Sequence, residues 1–154
     1  MVTLPITATD DQIRELVVRW SELLAQKRYA DALAMFPHSS EYVDWTPQSL
    51  EQAIAGYGVI DGDAETQRYL LSEHEVECFE ITSLLERTDR DEIITKIDVD
   101  RENLYGLDPL QYLGMVHYED VPLSGFRSDL TARFLIKRIA ASELTLEFLD
   151  IHVM

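Results

Sequence analysis

An aspartate and a histidine lie two positions apart near the end of the chain, at Asp150 and His152. Successive side chains of a β-strand point to opposite faces, so these two residues share one face if the segment is a strand. A carboxylate beside an imidazole can orient it as a general base. The pattern therefore predicts a catalytic acid–base pair at Asp150 and His152, on condition that their face lines a pocket.

The apolar residues around this pair leave a second interpretation open. Leu144, Leu146 and Phe148 lead up to Asp150 on the same face, which favours an inward-facing pair. The intervening positions are apolar as well: Leu149, Ile151 and Val153. A β-bulge after Phe148 would move the buried face to those positions and turn the pair to solvent.

His117 is the third candidate for proton transfer, on a strand predicted over residues 110–120. It shares a face with apolar neighbours, where a single histidine is more often a core or rim residue than a catalytic one. If the opposite face of the strand is concave, Tyr118 and Asp120 replace His117 as candidates.

Four aromatic residues are predicted to bind a ligand if the fold encloses a pocket: Trp45, Tyr57, Tyr112 and Tyr118. The helical half of the chain also holds Trp20, Tyr29 and Tyr42. Aromatic clusters of this kind more often form core than ligand site. Tyr112 and Tyr118 have the same parity on one predicted strand, so we expect them to share a face.

The sequence lacks the spacings typical of metal and cofactor sites. Asp98 and Asp100 share a strand face, but a charged segment follows them and we interpret them as solvated carboxylates. There is no HExxH, CxxC or His-x-His pattern, so no metal is predicted. Without a GxSxG, Walker or dinucleotide-binding motif, no cofactor is predicted. We expect the thiol of Cys78 to be inert.

The charge of the chain limits its partners. Thirteen Lys and Arg stand against 29 Asp and Glu, for a net charge of −16. Nucleic acid and anionic membranes carry the same sign and are disfavoured, whereas a basic protein is not. One cysteine excludes an internal disulfide and fits a reducing compartment. With no signal peptide and no apolar run of membrane-spanning length, we expect a soluble cytoplasmic protein.

Helical periodicity dominates the first half of the chain and alternation the second. Thr9 predicts the start of the first helix, and Thr46 followed by proline predicts the start of the third. Helices are predicted over residues 10–26, 29–36, 47–57 and 66–71. Strands are predicted over residues 75–85, 92–100 and 110–120, and as a closing pair on either side of a turn at residues 140–142. Helices followed by strands indicate one α+β domain over residues 1–154 with an antiparallel sheet.

The helical segment DQIRELVVRWSELLAQKRYADALAMF and the closing strands TARFLIKRI and LTLEFLDIHVM resemble the nuclear transport factor 2-like superfamily, the cystatin-like α+β cone. The resemblance implies N-terminal helices packed in the concavity of a curved antiparallel sheet, a cone-shaped pocket, and a homodimer through the convex sheet face. Members of the superfamily include ketosteroid isomerase, scytalone dehydratase, polyketide cyclases and non-catalytic binding proteins. A fold does not choose among such functions.

Three functions follow as alternatives. The first is a non-catalytic binding or interaction domain, with a small-molecule ligand in the cone or a basic protein as partner. The second is a small-molecule isomerase, dehydratase or cyclase that uses the Asp150 and His152 pair or His117. The third is an acidic inhibitor or immunity-type protein that neutralises a basic target. We rank the binding domain first, because the sequence forces no acid–base pair into the pocket.

Overall fold

The computed structural model describes residues 1–38, 44–57, 64–73, 78–104 and 106–153. Its helices are α1 Asp10–Ala25, α2 Tyr29–Met35, α3 Pro47–Ala55, α4 Ala64–Glu73 and α5 Arg90–Thr95. Its strands are β1 Leu4–Pro5, β2 Asp98–Asp100, β3 Tyr112–Tyr118, β4 Pro122–Leu123, β5 Phe126–Arg127, β6 Leu130–Ala140 and β7 Glu143–Val153.

Five strands form one antiparallel sheet in the order β1-β7-β6-β3-β2. The sheet is strongly curled into a half-barrel, and the N-terminal helices pack against it. Strands β4 and β5 form a separate small hairpin. The predicted α+β class is therefore confirmed, and the curled shape is compatible with a cone-like fold.

The helix starts follow from local side-chain chemistry. The hydroxyl of Thr9 accepts from the backbone N–H of Gln12, whose side chain accepts from the N–H of Thr9 in return. Thr46 and Ser49 make the same reciprocal pair before α3, with Pro47 at the first helical position. Such boxes satisfy N–H groups that a helix leaves without partners.

The core lies between α1 and the closing strands. Helix α1 buries an apolar stripe: Ile13, Leu16, Val17, Trp20 and Leu24. Strands β6 and β7 turn the alternating residues inward, as predicted: Leu130, Ala132, Phe134 and Ile136, then Leu144, Leu146 and Phe148. This alternation buries one complete face of the longest strand pair.

The middle of the chain differs from the prediction in two places. Over residues 78–85 the predicted strand is wrong, because the structure has only an isolated bridge between Ile81 and Leu123 there. The strand predicted from residue 92 is shortened to β2, and α5 precedes it. Ile93 and Ile97 are four residues apart and both are fully buried. Side chains at this spacing lie on one face of a helical turn and also on one face of a strand, so the spacing alone does not distinguish the two structures.

Other predictions for this region have different outcomes. The short helix predicted over residues 66–71 is confirmed and is longer, as α4. Tyr42, one of the aromatic residues of the helical half, lies outside the described residues.

A glycine permits the close pairing of β2 and β3. A Cβ atom at Gly114 would lie 2.4 Å from the carbonyl oxygen of Asp100 and 3.1 Å from Cα of Arg101. The register of β3 against β6 also shifts between Tyr112 and Gly114. The backbone contact therefore requires glycine at this point of the sheet.

We predict that Gly114→Ala lowers the free energy of unfolding by about 1–3 kcal/mol, because the added methyl group must displace backbone atoms. Urea denaturation measures the loss. Gly106→Ala is the matched control, since a Cβ there meets no atom within 4 Å and only the backbone angle φ of +73° opposes it. Equal stability of Gly114→Ala and the wild type would contradict the close contact.

An ion network ties the end of β3 to α5 and β5. Asp120 Oδ2 accepts from Arg127 Nη2 at 2.8 Å and from Lys96 Nζ at 3.1 Å. Arg127 Nη1 also lies 3.3 Å from Glu92 of α5. Partial burial opposes ionisation of Asp120, but the bonds from Arg127 and Lys96 outweigh it and lower the pKa of this carboxyl.

The lowered pKa of Asp120 makes stability depend on pH. A carboxyl whose folded pKa lies below its unfolded value stabilises the fold above the unfolded pKa, and this contribution disappears as pH falls through the folded pKa. We predict that Asp120→Asn is less stable than wild type at neutral pH and that the difference narrows below about pH 4. Asparagine keeps the left-handed backbone of this residue, where φ is 58°. Urea denaturation of wild type and Asp120→Asn at several pH values measures this difference in stability, and Glu119→Gln at an exposed neighbouring position is the control. A difference in stability that does not change with pH would argue against the ion network.

Candidate functional site

Strand β7 bulges directly after Phe148. Phe148 pairs with Phe134 of β6, and the next pair is Asp150 with Arg133, so Leu149 is the extra residue. Beyond the bulge, Ile151 pairs with Ala132 and is buried. The second of the two interpretations is therefore the observed one. Asp150 and His152 lie on the outer face of the sheet, and the expectation that they line an inner pocket is wrong.

On the outer face, Asp150 is bound to a guanidinium group. Arg133 Nε donates to Asp150 Oδ1 at 2.9 Å, and Arg133 Nη2 donates to Oδ2. The hydrogen bond from Arg133 to Asp150 raises the pKa of the guanidinium, against partial burial. His152 Nδ1 lies 3.6 Å from Asp150 Oδ1 and has no hydrogen-bond partner among the described residues. At that distance the carboxylate does not orient the imidazole as a general base requires.

His117 also lies on the outer face. It pairs with Asp98 of β2 on one side and with Arg133 of β6 on the other. Asp98, His117, Arg133 and Asp150 therefore form one row across four strands, which we name the outer-face row. In this row each group has a neighbour on the adjacent strand, an arrangement typical of cross-strand pairing on an outward-facing sheet surface.

Tyr112 is separated from Tyr118 by the irregularity in β3. Tyr112 pairs with Lys137, whereas Gly114 pairs with Ile136, so the bulge turns Tyr112 to the outer face. Burial, followed by a hydrogen bond with Glu147, raises the pKa of Tyr112. The prediction that Tyr112 and Tyr118 share a face is therefore wrong.

Tyr118 lies on the inner face and is fully buried. Its hydroxyl is 3.1 Å from the hydroxyl of Ser21 on α1. Burial raises the pKa of Tyr118 well above its usual range, so the phenol stays protonated. In this position it joins β3 to α1.

Trp45 and Tyr57, the other two aromatic residues predicted to bind a ligand, are also packed into the interior. Trp45 is 3% exposed, and its indole Nε1 donates to the carbonyl oxygen of Leu149 at 2.8 Å. Tyr57 is 6% exposed and accepts a bond from the backbone N–H of Asp129 at 3.3 Å. Its ring lies 5.0 Å from that of Phe79. These bonds and contacts give Trp45 and Tyr57 roles in packing.

Aromatic rings occupy the concave side of the sheet. The ring of Trp20 lies 5.1 Å from Phe134 and 5.3 Å from Phe148. Phe36 lies 5.9 Å from Phe134, and Trp45 lies 5.0 Å from Phe148. Ring pairs at such separations add to the stabilisation from buried area. Within the described residues, the centre of the half-barrel is therefore packed core.

A surface groove lies along the outer side of α1. Its volume is about 520 Å³, and it is lined by Asp11, Arg14, Glu15, Val18, Arg19, Leu85 and Ile94. A second hollow of about 280 Å³ continues it towards Leu23, Gln26 and Arg28 and shares Val18, Arg19 and Leu85. We name the two together the α1 groove. Leu85 is 45% exposed, which is a large fraction for a leucine set in a concave surface.

The loop that presents Leu85 is fixed to α1 by one carboxylate. Glu22 accepts from the backbone N–H of Leu84 at 2.7 Å and of Leu85 at 3.2 Å, and from the hydroxyl of Ser83 at 2.7 Å. Arg90 donates to the carbonyl oxygen of Leu85 at 2.8 Å. The exposed leucine is therefore held in place, while neighbouring Leu84 enters the core.

The sequence contained one signal for this groove. Val18 lies outside the predicted stripe of α1, beside Glu15 and Arg19; in the structure it is only 8% exposed, so it lines the groove from the core side and Leu85 is the exposed apolar residue there. Leu85 gave no comparable signal, because its segment was predicted to be a strand. The groove joins parts of the chain that are far apart in sequence.

Two further searches of the described residues were negative. They contain no group of three or more His, Cys, Asp or Glu side chains that could hold a metal ion. No helix among them is long and apolar enough to cross a membrane. Cys78 is exposed.

Comparisons of the chain with protein-family models, curated proteins and solved structures gave no match.

We predict that Trp45→Phe destabilises the protein by about 1–3 kcal/mol, because the carbonyl oxygen of Leu149 loses its buried donor. Amide exchange at residues 149–151 should accelerate as the bulge loosens. Trp20→Phe controls for the loss of ring volume from the core without the loss of a hydrogen bond, since Trp20 Nε1 has no hydrogen-bond partner among the described residues. Unchanged exchange at residues 149–151 in Trp45→Phe would rule out the proposed anchoring of the bulge.

Proposed function

We propose that this protein is a non-catalytic interaction domain that binds a protein partner through the α1 groove. The observation that carries the proposal is the packing of Trp20, Phe134 and Phe148 on the concave side of the sheet. A pocket enzyme of this architecture needs space at that point, and aromatic rings fill it. Binding is then a property of the surface.

The positions of the candidate catalytic groups favour the same function. Asp150 and His152 lie on the outer face, and the carboxylate is occupied by Arg133. His117 lies in the same outer-face row. The buried phenol of Tyr118 is hydrogen-bonded within the core. These arrangements support a structural role for each group over proton transfer to a substrate.

The α1 groove has the composition of a protein contact surface. Its apolar residues are exposed Leu85, half-buried Ile94 and buried Val18, and its other lining residues are charged. An apolar centre with a polar rim is typical of protein interfaces. Because Glu22 and Arg90 hold the loop of Leu85, binding there orders few additional groups.

The remaining alternatives have less support. Acidic side chains occur on α1, α2, α3, α5, β2 and β7 and are not confined to one element, so the charge alone does not favour an inhibitor. Membership of the nuclear transport factor 2-like superfamily, a single domain over residues 1–154 and a cytoplasmic location remain parts of the proposal.

We predict that Leu85→Asp abolishes partner binding without unfolding the protein. Wild-type and variant chains are immobilised and exposed to extract of the cells that produce the protein, and retained proteins are identified by mass spectrometry. A charged residue in the apolar centre must lose its hydration on binding, so retention should fall at least about tenfold.

Leu110→Asp is the matched control, because Leu110 is 81% exposed and lies outside the α1 groove. It should retain the same proteins as wild type. If Leu85→Asp retains them equally well, the α1 groove is not the binding surface. If wild type retains nothing and instead binds a small apolar molecule that changes the fluorescence of Trp20 and Trp45, the pocket enzyme is favoured.

A further inference from the structure

The α1 groove is electrically balanced on a strongly acidic protein. The whole chain has a net charge of −16. The charged residues that line the main part of the groove are two acids and two bases: Asp11, Glu15, Arg14 and Arg19. Two copies of a protein with this net charge repel one another. A contact between copies is therefore least opposed where the local charge is close to zero.

The free charges of the groove are also ordered along the helix. Glu15 and Arg19 are exposed and four residues apart, so they lie on one face of α1. Neither forms an ion pair with any residue that the structure describes. Arg14, in contrast, donates to the carbonyl oxygen of Ile97 and to Asp11. An acid followed by a base on one helical face is complementary to an antiparallel copy of itself.

Apolar residues lie at the centre of this pattern. Val18 adjoins Arg19 on α1, and Leu85 projects beside both. A two-fold axis near Val18 brings Glu15 of each helix opposite Arg19 of the other, and Leu85 of each copy towards the partner's groove. Every contact of such an isologous interface occurs twice.

The outer face of the sheet suits a second copy less well. Including the outer-face row, the outward residues of β2, β3, β6 and β7 comprise five acids and two permanently charged bases: Asp98, Asp100, Glu143, Glu147, Asp150, Arg133 and Lys137. Two such faces meet with like charges opposed, which costs binding energy. The charges of the outer face therefore oppose the homodimer through the sheet that the resemblance implies.

We propose that the α1 groove binds a second copy of this chain, with the two α1 helices antiparallel and Glu15 of each opposite Arg19 of the other. The inference rests on the proposed function, because it names the partner of the same surface. Helix α1 has 16 residues and spans about 24 Å, so the interface is smaller than that of a standard complex. The dimer is accordingly weak and reversible.

Sedimentation velocity at increasing protein concentration tests the dimer. We expect the mean mass of wild type to rise from 17.7 kDa towards twice that value. In a dimer of the Glu15→Arg variant, the new arginine of each copy lies opposite Arg19 of the other copy. In a dimer of the Arg19→Glu variant, the new glutamate of each copy lies opposite Glu15 of the other copy. Each variant alone should dimerise at least about tenfold more weakly. In an equimolar mixture of the two variants every opposed pair is again of opposite sign, and association should return.

Glu51→Arg on α3 is the control, because it changes the net charge as Glu15→Arg does at an exposed position outside the groove. It should dimerise at least as well as wild type. A wild type that stays monomeric up to about 1 mM overturns the inference. So does a dimer that both groove variants leave intact, or a mixture that fails to associate. If wild type is monomeric but still retains another protein through Leu85, the proposed function stands and only the second copy is excluded.

Discussion

The contact of Trp20 with Phe134 and Phe148 is the interaction on which the rest of the structure depends. It joins the middle of α1 to the two 11-residue strands β6 and β7, with ring separations of 5.1 and 5.3 Å. Large rings at this point fix how closely the helix approaches the sheet. The same rings fill the concave side of the half-barrel, which is therefore packed core. The charged side chains of Arg133 and Asp150 lie on the outer face of the sheet, and those of Glu15 and Arg19 lie along the exposed side of α1.

The bulge at Leu149 decides which side chains reach that outer face. With regular alternation after Phe148, Asp150 and His152 would enter the core, where a charged group without a partner is costly. One extra residue moves Ile151 inward and Asp150 outward to Arg133. The bulge is held by tertiary contacts. Trp45 donates to the carbonyl oxygen of Leu149, and the N–H of Phe148 donates to the carbonyl oxygen of Pro37. Both partners come from the helical half of the chain, more than 100 residues earlier.

This distance explains how much the sequence could predict. Helix starts at Thr9 and Thr46 and the alternation of β6 and β7 are local patterns, and they predicted the α+β class and most of the core. Short apolar segments do not distinguish a helical turn from a strand, which is why α5 was predicted as part of a strand. The bulges beside Tyr112 and Leu149 depend on neighbours that are remote in sequence, so the faces of Tyr112, Asp150 and His152 could not be fixed. The α1 groove needs Leu85 beside α1, and only the tertiary fold supplies that.

Helix α1 makes different contacts on its two sides, and both sets of contacts bear on the proposed binding surface. Its inner side is fixed by Trp20 and by the bond between Ser21 and buried Tyr118. The adjacent residue, Glu22, accepts the backbone N–H groups that present Leu85 on the outer side. A surface built on a helix held in this way is ordered before it binds, so association loses little conformational entropy. The proposed binding would therefore lose less conformational entropy at this groove than at the same apolar residues on a loose loop.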